Sequence, residues 1–169
     1  MSSVSQWYER QFAFAFPADI YPNIQARLRG TPARVEELVG NCSREILTRK
    51  AGEKWSAQEQ VGHLLDLESL WLKRLEDFVQ GHAELSTTDL SNRKTHEANY
   101  NSQDIESVLT DFREARARLV ERAGKVDPTL YSRVLVHPRL QKPMRLVDHL
   151  YFVAEHDDHH LASIWQLIR

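Results

Sequence analysis

The run Glu155-His156-Asp157-Asp158-His159-His160 places three of the chain's eight histidines within five positions. In a helix, His156 and His160 project about 40° apart and roughly 6 Å along the axis. Two neutral imidazoles at that spacing can converge on one divalent ion, the arrangement of zinc-binding helices. The apolar stripe Leu146, Val153, Ile164 and Leu167 marks the inward side of this segment, and His156 and His160 sit on its shoulder. His159 falls about 60° away on the far side, where it is expected to be more exposed. A third ligand should come from another helix. His63 sits on the shoulder of its own apolar arc, beside Leu67, Leu70 and Trp71. Three imidazoles from facing helices would leave coordination positions open for water or substrate, and would accept Zn, Ni, Fe or Mn.

Acid–base chemistry beside such an ion has three candidates: Asp157, Glu68 and His159. Glu68 falls within the Leu64, Leu65, Leu72, Leu75 stripe, and Asp157 within the Leu150, Val153, Ile164 stripe. A carboxylate aimed at a core is costly unless paired or hydrogen-bonded, so each is either a structural partner of an Arg or Tyr or support for a ligand imidazole. Both lie too far round their helices to be direct ligands. His149, seven residues before His156 and on the same face, is the residue to check for closing the site. Arg93, Lys94, Arg133 and Arg139 could meet an anionic group, although a solvated surface is the default for each.

The elements that must position these residues are helices. The first is expected from about Pro22 to Val39, with Gly30-Thr31-Pro32 as a kink or a break. Ser43 to Thr48 reads as a short helical turn. Ser56 with Glu59 forms a capping box ahead of the periodic series Val61, Leu64, Leu65, Leu72, Leu75 and Val79, and Gly81 ends it. Ser102 is expected to cap a third helix over 103–123, and a fourth runs from about Met144 to the end. No convincing sheet is expected. Residues 82–101 and 125–143 read as long connections, of the kind that carry function. The aromatic stretch from Trp7 to Phe16 reads as an arm, residues 1–20, packed over the bundle. The expectation is an all-α four-helix bundle, one domain over 1–169, not connected simply up-down-up-down.

Bulk properties exclude several classes. The composition, 41% hydrophobic and 27% charged with a net charge of −2, is that of a globular chain without a basic block for nucleic acid. No apolar run suits a membrane span or a signal peptide, and Cys42 has no second cysteine to pair with, so a cytoplasmic location is expected.

Lys54-Trp55-Ser56 followed by Val61-Gly62-His63-Leu64, Asp66 and Glu68 resembles the DinB/YfiT-like superfamily. So do the ending Glu155 to Ile164 and the early segment Arg27 to Arg34. The resemblance implies a four-helix bundle of unusual connection order and a three-histidine metal site mapping onto His63, His156 and His160. It further implies a metal-dependent hydrolase or thiol-dependent S-transferase acting on a small molecule, such as a low-molecular-weight thiol, and often a homodimer. A second apolar strip, Val147, Tyr151, Ala154, Leu161 and Trp165, could serve such an interface or pack against the arm. Two alternatives stand beside this. His156-Asp157-x-x-His160 has the layout of a zinc-protease helix, but its Asp is one methylene short of the usual Glu. A non-enzymatic stress-response or binding module would instead hold a structural or sensory metal in a closed site.

Overall fold

The computed structural model describes residues 4–169, so the first three residues of the expected arm lie outside it. In chain order the elements are α1 (Tyr21–Val39), α2 (Arg44–Thr48), α3 (Ala57–Gln80), α4 (Arg93–Glu97), α5 (Ile105–Gly124), β1 (Val134–His137), β2 (Lys142–Arg145) and α6 (Leu146–Leu167). The four long helices form a bundle. Arg116 pairs with Glu68 and Arg122 with Glu76, so α3 and α5 run parallel. Tyr21 reaches Ala123 and Arg113 reaches Glu36, so α1 opposes α5. The neighbours His63–His160 and Phe78–His149 show that α6 opposes α3. α1 and α3 each pack on both α5 and α6. Consecutive long helices α1 and α3, and likewise α5 and α6, therefore occupy opposite corners. This is the non-meandering order that the long connections lead one to expect.

Local chemistry explains the helix boundaries. The Ser56 hydroxyl accepts the Glu59 N–H while the Glu59 carboxylate accepts the Ser56 N–H at 2.8 Å, and Gly81 stops α3 in the left-handed conformation at φ 75°. Gly30-Thr31-Pro32 neither breaks α1 nor starts a second piece. Proline lacks the N–H that would bond the carbonyl four residues back, so Leu28 O is freed. Arg116 supplies the missing donor at 3.2 Å. A buried arginine on α5 thus completes the hydrogen bonding of α1.

Four expectations need correction. The chain contains a two-stranded antiparallel hairpin, with Leu135 opposite Met144 and Val136 opposite Pro143, and Val136 also bridges to Glu84. Four-residue strands carrying Pro143 and two basic residues show no readable alternation. Because Met144 belongs to β2, the last helix begins at Leu146. Asp104, not Ser102, caps α5 by accepting the Ser107 N–H, and Ser102 closes a preceding 3-10 turn. The 82–101 connection holds α4, too short to show a period.

Trp7, Phe12, Phe14 and Phe16 of the arm pack on the larger of two core clusters, and Phe14 and Phe16 meet Tyr151. The second apolar strip of α6 is largely covered within the chain, Tyr151 by the arm and Val147, Ala154 and Leu161 in the core, leaving Trp165 exposed. Among the described residues no helix is long and apolar enough to cross a membrane.

Candidate metal centre

Helix α3 presents His63 and α6 presents His156 and His160, all three buried. One nitrogen from each lies within 4.8 Å of the other two. The Nε2 atoms of His156 and His160 face each other at 3.1 Å. Ligand nitrogens bound to one ion at about 2.0–2.1 Å stand roughly 3–3.4 Å apart, so this spacing is that of two donors sharing a cation.

In two of the three rings the second nitrogen fixes the tautomer. His160 Nδ1 donates to Gln60 Oε1 at 2.5 Å, which leaves the Nε2 lone pair pointing at His156. His63 Nδ1 lies 3.1 Å from Thr95 Oγ1, and Thr95 donates its own proton to Asp66 Oδ2 at 2.9 Å. The Thr95 oxygen therefore accepts from His63, whose Nε2 lone pair is left free. Asp66 also accepts from the Tyr100 hydroxyl at 2.8 Å and pairs with Lys94 at 3.2 Å. His156 Nδ1 is buried without a partner. Carboxylates and hydroxyls behind ligand imidazoles orient the rings and raise their basicity.

Burial lowers His63 to about 4 despite the upward pull of Asp66. Burial, reinforced by the neighbouring histidines, holds His156 and His160 well below the usual imidazole value. All three are neutral at pH 7 with lone pairs available, the state that metal ligation needs. The donor set and spacing fit a divalent ion.

The trio opens onto a cavity of about 300 Å³ whose apolar walls include Trp7, Trp55, Leu67, Leu70, Trp71 and Phe152. Trp55 packs on His63 at 4.6 Å between ring centres and Trp7 on His156 at 5.0 Å. The loop before α3 and the arm thus each place a tryptophan against a histidine.

Residues 27–164 match the sequence profile of the DinB superfamily. The chain belongs to the DinB superfamily. Among solved structures it is similar to YfiT from Bacillus subtilis, described as a probable metal-dependent hydrolase with an unusual four-helix bundle topology. The TM-score is 0.81 at 17% identity over 94% of this chain and 91% of that one. At that identity the likeness establishes the fold. Among curated proteins, no sequence matches the chain.

Within this DinB fold the remaining candidates separate. Glu68 and Asp157 both grip Arg116, at 2.5 Å each, with all three side chains almost fully buried. Thr31 adds a 2.8 Å hydrogen bond to Asp157. Both carboxylates are thus engaged in tying α3, α5, α6 and α1 together. His159 lines the cavity, its ring 5.1 Å from His160 and 5.6 Å from Trp7, and is half-buried where a more exposed side chain is expected. His149 lies between Trp71 and Phe78 and is not one of the converging group. Arg133 caps the end of α3 through Phe78 O and Val79 O, and Lys94 pairs with Asp66. Gln60 and Asp66 stand three residues either side of His63, so helical periodicity alone could have flagged them. Thr95 carried no such signal.

Proposed function

We propose that this DinB protein is a metal-dependent enzyme in which His63, His156 and His160 hold a divalent ion, Zn, Ni, Fe or Mn, at the floor of the cavity. The convergence of three neutral, buried imidazoles carries the reading. A bound ion would supply a nucleophile at neutral pH by lowering the pKa of water or of a substrate thiol. The chain's own residues do the rest. Gln60 and the Thr95–Asp66 pair hold two ligand rings in one tautomer and orientation. The tryptophan-lined walls seat the apolar body of a small-molecule substrate and exclude water. Of the three acid–base candidates only His159 faces the cavity, so it is the group placed to accept or donate a proton there.

The likeness to YfiT, a probable metal-dependent hydrolase, supports hydrolysis, and the resemblance noted from the sequence supports thiol-dependent S-transfer equally. A closed structural or sensory site would need a fourth protein ligand. Among the described residues the group consists of three histidines.

A screen of activated esters, amides and low-molecular-weight thiols with electrophilic acceptors tests the proposal. Turnover is expected in metal-loaded protein, abolished by chelation and reduced at least 100-fold in His156→Ala. Turnover that survives both treatments would refute a metal-dependent reaction at this site.

A further inference from the structure

Away from the three histidines the cavity is lined by four side chains that carry N–H donors, Trp71, Arg74, His137 and Arg139. Arg74, on α3, is 1% exposed. Its Nε donates to Ser86 O at 2.9 Å, its Nη1 lies 3.3 Å from His137 Nε2, and its Nη2 has no partner. The tautomer of His137 is fixed by the hairpin turn, because its Nδ1 accepts the backbone N–H groups of Arg139 and Leu140 at 3.2 Å each. The His137 proton therefore sits on Nε2, and two donors meet across 3.3 Å with no acceptor between them. Arg139 Nη2 and Trp71 Nε1 are also buried and unpartnered. The Arg139 guanidinium rests against the rings of Tyr8 and Phe152, and no carboxylate pairs with it among the described residues.

Among the described residues neither arginine is in a direct ion pair. Asp77 is the acid that acts on Arg74, and its own oxygens are taken by His82 and the Ser86 N–H. Among the described residues Asp89 is the sole acid lining the cavity, and it is turned to Ser91 and the Arg93 N–H. Burial together with Arg139 brings Arg74 down to about 10 against the pull of Asp77, so it remains a cation at neutral pH. Two steps of 5.5 Å, from the His156 ring to Trp71 and from Trp71 to the Arg74 guanidinium, connect this end to the histidines. Buried donors without acceptors are costly, and an anion removes the cost.

We propose that Arg74, Arg139 and the Trp71 indole N–H bind an oxyanion of the substrate, a carboxylate or phosphate, while the rest of the same molecule reaches toward the histidines. The inference rests on the cavity being the reaction site and names the class of substrate it takes: a small organic anion with an apolar body. Arg74 and Arg139 are binding residues in this scheme.

The test is thermal unfolding followed during titration with benzoate, malonate, phenyl phosphate and inorganic phosphate. It is run at pH 7.5 with sodium chloride at matched ionic strength, on protein both as purified and after chelation. At least one organic anion is expected to raise Tm saturably beyond the chloride control in both preparations, and at lower concentration than inorganic phosphate. The carboxylate and phosphate arms decide which group is read. Arg139→Met, on the less buried of the two arginines, should weaken the apparent affinity at least tenfold with metal content unchanged. Arg74→Met should do the same, with the Tm of the anion-free protein recorded beside it because the substitution also removes the hydrogen bond to Ser86 O and the cation facing Asp77. The proposal is overturned if no organic anion acts beyond chloride, if Arg139→Met binds as well as wild type, or if inorganic phosphate binds as tightly as any organic anion. Metal content, measured on the same samples, reports separately on the histidine site.

Discussion

At the scale of single residues, the support behind the histidines matters as much as the histidines. His63 is oriented through Thr95, whose hydroxyl donates onward to Asp66 and so must accept from the imidazole. Thr95→Val removes that acceptor while keeping the side chain's shape. It should weaken zinc binding by about 10–100-fold, measured by competition with a zinc indicator, and cost about 1–3 kcal/mol in stability because the His63 N–H and an Asp66 oxygen lose their buried partner. Unchanged affinity would mean that the ring is oriented without it. Gly62 serves the same network. A Cβ there would stand 2.2 Å from the Tyr100 ring, which has to lie flat against α3 for its hydroxyl to reach Asp66. The convergence of His63 with His156 and His160 was legible because helical spacing puts all three on the shoulders of apolar stripes. Thr95 was not, and Arg139 was named only as one of four cations that could meet an anion, because a five-residue helix and a hairpin turn deliver them and no periodicity reports where such segments land.

At the scale of elements, Arg116 is the residue on which the helices depend. It binds Glu68 of α3 and Asp157 of α6, and donates to the Leu28 carbonyl that Pro32 leaves bare in α1. Burial disfavours its charge, yet the two carboxylates hold its pKa raised. Arg116→Met would leave two buried carboxylates facing each other and one orphan carbonyl, and should cost about 3–5 kcal/mol in urea unfolding. A loss below about 1 kcal/mol would mean that the three helices are joined mainly by apolar packing. The need for buried partners behind Glu68 and Asp157 could be read from their place in apolar stripes, but the identity of the partner could not. The uninterrupted passage of α1 through Pro32 likewise depends on a donor 88 residues away in the chain. Local signals sufficed where capping is local, as in the Ser56–Glu59 box. They failed where boundaries depend on strand pairing, as at Leu146.

At the scale of the whole molecule, the fold buries an unusual number of neutral histidines. Burial lowers His63 to about 4 and His137 to about 3, with Arg74 and Arg139 adding to the fall at His137, and it drives His149 well below its usual value. These groups take up protons on unfolding below their ordinary pKa of 6.5, so the unfolded state binds more protons between pH 6.5 and about 3–4. Their contribution is fully present above pH 6.5 and is lost as pH falls through that window, by roughly 1.4 kcal/mol per pH unit for each such histidine. The urea midpoint of metal-free protein should therefore fall markedly between pH 7.5 and pH 5, whereas equal midpoints would show that the histidines are not buried neutral. The four-helix architecture and its non-meandering order were legible from helix count and connection length, and the hairpin was not, since its strands are too short to show a pattern. All of this converges on one site, and the most direct test is metal content by mass spectrometry of wild type, His63→Ala and His160→Ala. About one equivalent of a divalent transition metal in wild type, lost in both folded variants, is the predicted result. Wild type without metal even after reconstitution, or variants that retain a full equivalent, would contradict the account.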